Sequence, residues 1–162
     1  MDDPLLTEDA RGLVADLTVR QQSVATAESL TAGLLAATLA GVPGASEVLR
    51  GGLVTYTEQT KILLAGVAPQ ILADVGPVAA PTARALAVGA RQRCDATWGV
   101  GLTGVAGPEP HGGHDVGTVF MGLAGPVDTK VVELRLSGSR WDIRLAAVRE
   151  SITRLRALIA AP

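Results

Sequence analysis

The stretch from Ala27 to Lys61, AESLTAGLLAATLAGVPGASEVLRGGLVTYTEQTK, most constrains what this chain can fold into. A polar turn at Glu28, Ser29 and Thr31 opens an apolar helix over 34–39, and Gly41–Gly44 breaks it. A strand over 51–57 follows, then a short helix from Glu58 to Leu64. A first strand over 22–26 precedes the turn, so strand and helix alternate. A strand, a polar turn and a helix in that order point backbone N–H groups at a ligand. The same alternation continues. Helices are expected over 5–20, 69–75 and 81–93, and a final amphipathic helix with five arginines over 140–160. Strands are expected over 96–102, 116–123 and 130–136, the last two as a hairpin. Gly66, Pro69 and Pro81 supply the punctuation. No repeat or linker interrupts the pattern.

Composition bears on how such elements pack. The chain of 162 residues is 48% hydrophobic, mostly Ala, Val and Leu, with four aromatics. Small and branched apolar residues suit a sheet covered on both faces by helices. One three-layer α/β domain over 1–162 is the expectation, large enough to bury a real core. Net charge is −2, the arginines are dispersed, and aromatics are too few to stack bases, so nucleic acid is not an expected partner. No apolar run has membrane-spanning length, and the acidic start M-D-D-P is unlike a signal peptide. The single cysteine, Cys94, excludes an internal disulfide, and a cytoplasmic location is the plain inference. The assembly state is not legible, and a homo-oligomer stays open.

The candidates for chemistry are few. Ser46, Tyr56 and Lys61 fall within 16 residues. A hydroxyl nucleophile needs a base, and a desolvated lysine serves where histidine is absent. Taken singly, each has a structural role open to it: Ser46 as a helix cap, Tyr56 as a strand residue, Lys61 as a solvated charge. Ser29 is the competing serine, at a strand-to-helix turn that lacks G-x-S-x-G. His111 and His114 are the only histidines and lie in the glycine-rich loop Thr103–His114, without the Cys or carboxylate cluster that a metal needs. Neither a metal nor a cofactor is expected. That loop carries four glycines, whose backbone amides suit a phosphate, although no P-loop motif is present.

Several motifs in order resemble one known family. They are TAESLTAG (26–33), VPGAS (42–46), RGGLVTYTEQTKILLAGV (50–67), GPV (76–78), TGVAGP (103–108) and VGTV (116–119). Together they resemble the carboxy-terminal domain of the competence/damage-inducible protein CinA, also found as a free-standing nicotinamide-nucleotide amidase. The resemblance covers nearly the whole chain. It implies a three-layer α/β/α sandwich with a mixed sheet, and an amidohydrolase converting nicotinamide mononucleotide to nicotinic acid mononucleotide and ammonia. A small-molecule nucleotide is then the expected ligand. By the same resemblance Ser46 is expected as nucleophile, Lys61 as base and Tyr56 as assistant. Ser29, Thr103, Gly104 and Gly107 are expected to line the substrate site. Arg140 or Arg144 is expected near the phosphate.

This chain departs from the family pattern at Leu30, Ala32, Ala45, His114-Asp115 and Gly138-Ser139-Arg140. Those departures motivate the alternative of a nucleotide-binding or regulatory domain with little or no turnover.

Overall fold

The computed structural model describes residues 3–162. Five strands form one mixed sheet in the order β2-β1-β3-β4-β5. They are β1 (Val24–Glu28), β2 (Leu49–Val54), β3 (Trp98–Gly104), β4 (Thr118–Ala124) and β5 (Thr129–Arg135). β1 runs parallel to both β2 and β3, whereas β3–β4 and β4–β5 are antiparallel. The helices are α1 (Glu8–Arg20), α2 (Leu34–Ala40), α3 (Glu58–Ala65), α4 (Pro69–Val75), α5 (Ala80–Arg93) and α6 (Arg140–Ala160). A short 3-10 turn, Ala45–Glu47, leads into β2. The expected three-layer α/β/α architecture is the observed one.

Alternation along the strands assigns the two faces. Val24 on β1, Val100 and Leu102 on β3, and Val119, Met121 and Leu123 on β4 pack in one core with Leu13, Leu17, Ile143 and Ile152 of α1 and α6. Ala25 and Ala27 point the other way, into a core with Ala65, Leu72, Leu86 and Ala90 of α3, α4 and α5. All five residues of β1 are buried, as a central strand covered on both sides requires.

α5 sits unusually close to the sheet, and glycines permit it. A Cβ at Gly101 would lie 2.5 Å from the Ala87 amide nitrogen, and one at Gly122, its partner across β3–β4, 2.3 Å from the Ala83 carbonyl oxygen. Glycines at those two positions let the helix backbone rest on the strands.

Boundaries moved where polar residues are buried, where strands pair and where a threonine caps a helix. β1 and β3 end two residues later than expected, at Glu28 and Gly104. Both add a polar residue that is buried, Glu28 and Thr103. β2 starts earlier, because Leu49 pairs with Val24, and it ends at Val54 rather than Thr57. Thr57 instead caps α3, its side chain accepting from the Thr60 amide. α1 starts at Glu8 because Thr7 is its N-cap.

Candidate active site

The β1–α2–β2 and β2–α5–β3 connections pass over opposite faces, so the sheet's switch point lies at β1. In open α/β sheets ligands bind outside the carboxyl ends of the strands at such a point. There a cleft of about 310 Å³ opens, within the usual size of small-molecule sites. Ser29 follows β1, Tyr56 follows β2, and Thr103 and Gly104 end β3, so three parallel strands deliver their carboxyl ends to it.

The floor of the cleft is a serine and a lysine. Thr57 and Thr60 form a capping box that starts α3 and places Lys61 one turn in. Its side chain is 1% exposed. Lys61 Nζ donates to the Thr55 carbonyl at 2.8 Å and to Ser29 Oγ at 3.2 Å. Burial pushes the Lys61 pKa down from 10.5 to about 8, against a smaller opposing pull from the Glu58 carboxylate. At neutral pH about one lysine in ten is therefore uncharged. A neutral amine has a lone pair for the Ser29 proton, and the serine hydroxyl then becomes the donor.

The turn that presents Ser29 is held from three sides. The Ser29 amide donates to the Leu102 carbonyl of β3 at 2.9 Å. Glu28, fully buried, turns its carboxylate back under α2, accepting from the Leu35 and Ala36 amides at 2.8 and 3.0 Å and from Thr26 Oγ1 at 3.0 Å. Arg144 of α6 donates to the Leu30 and Thr31 carbonyls at 2.9 and 3.4 Å. Ala32 takes a left-handed conformation, φ 48°, inside this turn. The first-turn amides of α2 are thus occupied, those of Leu35 and Ala36 by Glu28 and that of Leu34 by the Thr31 carbonyl. This corrects the expectation that the helix start would face a ligand.

The rim carries the charge. Arg140 is the first residue of α6, placed there by the Ser139 cap, whose Oγ accepts from the Asp142 amide at 3.2 Å. Its guanidinium donates to the Gly107 carbonyl and, at 3.0 Å, to the Tyr56 hydroxyl. Thr103 and Gly107 line the wall, and the Thr103 hydroxyl donates to the Pro77 carbonyl at 2.6 Å. The amides of Gly107 and of two more lining residues, Leu30 and Ala106, donate to no acceptor among the described residues.

Ser29, Lys61, Tyr56, Thr103, Gly104, Gly107 and Arg140 therefore meet in one cleft. Ser46 does not join them. It is exposed in the 3-10 turn before β2, whereas Lys61 is bonded to Thr55 just past the strand's far end. Six strand residues separate those ends by roughly 20 Å. The serine hydroxyl beside Lys61 is Ser29's, in place of the expected Ser46. Arg144 lies outside the cleft lining and braces the Leu30–Thr31 turn instead. Tyr56 bonds Arg140 rather than either end of the serine–lysine pair.

Sequence reasoning gave Thr55 no role, since it acts through its backbone carbonyl, which no side-chain pattern signals. Glu109 and His111, to which it gave no place in the substrate site, also line the cleft. Among the described residues no group of three or more His, Cys, Asp or Glu is placed to hold a metal ion. Among them, too, no helix is long and apolar enough to cross a membrane.

Fold and site together define an α/β domain with a buried serine–lysine pair at the carboxyl edge of its parallel strands. The profile of the CinA C-terminal domain family matches residues 7–159, and the chain belongs to that family. It is 44% identical over 154 residues to a CinA-like protein of Frankia casuarinae, covering 94% of this chain and 36% of that protein. A CinA-like protein of Anaeromyxobacter sp. is 48% identical over 147 residues, covering 89% of this chain and 35% of that protein. The chain thus spans about a third of the length of the curated relatives it matches. Among solved structures it is similar to the competence/damage inducible protein CihA from Agrobacterium tumefaciens, with a TM-score of 0.90, 34% identity, and 98% and 99% of the two chains covered. A competence or damage-inducible protein from Enterobacter asburiae gives a TM-score of 0.91 at 28% identity, with 94% and 97% covered.

Proposed function

We propose that this domain is a serine–lysine amidohydrolase acting on the carboxamide of nicotinamide mononucleotide. The observation that carries the reading is Lys61 Nζ, buried and 3.2 Å from Ser29 Oγ, with its pKa lowered to about 8. A structural lysine gains little from such burial, because the charged form is disfavoured there. A base gains from it, because the neutral form is the working form. The choice of substrate rests on the motif resemblance together with the cleft's make-up. An apolar middle of Leu30, Val78 and Val105 suits an aromatic ring, and Arg140 at the rim suits a phosphate.

The steps follow from the contacts. Neutral Lys61 takes the Ser29 proton while Oγ attacks the carboxamide carbon. The carbonyl oxygen becomes an oxyanion, and the free amides of Leu30, Ala106 and Gly107 are the donors available to it, each contact of this kind contributing roughly 3 kcal/mol. The Lys61 ammonium then gives its proton to the departing nitrogen, and ammonia leaves. An ester joins Ser29 to the acyl group. Water attacks that ester, Lys61 takes the water's proton, and the proton returns to Ser29 Oγ as the acid is released. The Thr55 carbonyl orients the amine through the cycle. Tyr56 acts at one remove, steering Arg140.

The test is ammonia release from nicotinamide mononucleotide beside nicotinamide riboside, which lacks the phosphate. Turnover of the mononucleotide with much lower kcat/KM for the riboside is expected. No ammonia from either would leave the nucleotide-binding alternative standing.

A further inference from the structure

We infer that Glu109 is a specificity residue that reads the sugar hydroxyls of the ligand, so that the cleft selects a ribosyl compound with a free vicinal diol. The inference rests on the reading of the cleft as a nucleotide amidase site. Of the polar side chains that line the cleft, most already have partners, and among the described residues those of Glu109 and His111 do not. Lys61 is held by the Thr55 carbonyl and Ser29. The Thr103 hydroxyl donates to the Pro77 carbonyl. Tyr56 accepts from Arg140, which also holds the Gly107 carbonyl. Glu109 is the one acidic side chain lining the cleft among the described residues. Its carboxylate makes no hydrogen bond or ion pair to another described residue.

Depth orders the site. Ser29, Lys61 and Thr103 are buried at the floor, whereas Tyr56, Glu109, His111 and Arg140 are exposed at the rim. A ligand whose carbonyl reaches Ser29 places its ring against Leu30, Val78 and Val105 and its phosphate at Arg140. The sugar spans the gap between them. Glu109 is two residues beyond Gly107, the residue whose carbonyl holds Arg140, so the two Cα atoms are at most about 7.5 Å apart. Glu109 therefore stands near the phosphate position, on the rim of the cleft that the sugar would occupy. An ionised carboxylate only accepts hydrogen bonds, and sugar hydroxyls are the donors such a ligand offers there. A pair of hydroxyls on adjacent carbons matches its two oxygens.

Binding can be measured apart from turnover in a Ser29→Ala background by calorimetry. The probes are nicotinamide mononucleotide and its 2′,3′-dideoxy analogue. The analogue should bind about 10- to 100-fold more weakly to Ser29→Ala. Adding Glu109→Ala should bring the two affinities within about threefold, mainly by weakening the diol compound. Glu109→Gln, which keeps one acceptor oxygen, should retain part of the preference. Undiminished discrimination after Glu109→Ala would overturn the inference while leaving the amidase reading untouched, as would equal binding of both probes before it. Failure of Ser29→Ala to bind either probe, with no ammonia released by the unmodified protein, would overturn both.

Discussion

Lys61→Met should disable the chemistry and yet stabilise the fold at neutral pH. Methionine keeps the apolar stem and removes the amine. In the native protein burial lowers the Lys61 pKa from 10.5 to about 8. At 1.36 kcal/mol per decade, holding the charged form inside costs about 3 kcal/mol of stability below pH 8. The substitution removes that cost. It also strands the Thr55 carbonyl and the Ser29 hydroxyl, at about 1 kcal/mol each. The balance is a gain of about 1 kcal/mol, or roughly 2–4 °C in Tm for a chain of this size.

The pH dependence carries the sign. Between pH 8 and 10.5 the unfolded chain binds the lysine proton and the folded one does not, so native stability rises with pH across that window. The advantage of Lys61→Met should therefore be full below pH 8, shrink between 8 and 10.5, and reverse above. The assay is thermal unfolding of both proteins at intervals from pH 6.5 to 10.5. A variant several degrees less stable at pH 7, or a difference that does not change with pH, would refute the claim that burial depresses this lysine.

The same pKa sets a kinetic profile: kcat/KM should climb tenfold per pH unit below about pH 8 and level off above it, and Glu58→Gln should move the bend to lower pH because that carboxylate raises the lysine pKa. Arg140→Ala should raise KM for the mononucleotide by about 10- to 100-fold with little effect on the riboside, as loss of a charge-assisted contact implies. Arg144→Ala should instead lower kcat for both compounds, because it frees the Leu30–Thr31 turn. Gly101→Ala should lower Tm by an amount worth about 1–3 kcal/mol, since its Cβ would meet the Ala87 amide at 2.5 Å.

Much of the fold was legible because its signals are local. Gly or Pro stands at an end of α2, α3, α4 and α5, and the alternation of strand and helix needs no partner to be seen. The site was less legible, because side chains meet there through topology. Ser46 and Lys61 are close in sequence, yet the whole of β2 runs between them. Ser29 and Lys61 are 32 residues apart and in contact, because parallel β1 and β2 bring their carboxyl ends to one edge. The deciding signal was the parallel pairing, which periodicity does not encode. Arg140 and Arg144 share a similar pattern on one helix, and the first turn separates their roles. Arg140 stands over the cleft, and Arg144 reaches back to β1's turn. Glu28 shows the opposite case. It stands next to a helix start in the sequence, its carboxylate accepts from the α2 amides there, and it is completely buried at the end of β1.

The central claim is that Ser29, rather than Ser46, is the nucleophile that Lys61 activates. The most direct measurement is kcat on nicotinamide mononucleotide for Ser29→Ala and Ser46→Ala, each beside its melting curve. Ser29→Ala should lose turnover by a factor on the order of 10⁴ with its fold intact, and Ser29→Ala/Lys61→Met should be hardly worse, as for residues that act as a unit. Ser46→Ala, roughly 20 Å from the lysine along β2, should keep turnover near that of the native protein. A dead Ser46→Ala beside an active Ser29→Ala would contradict the account.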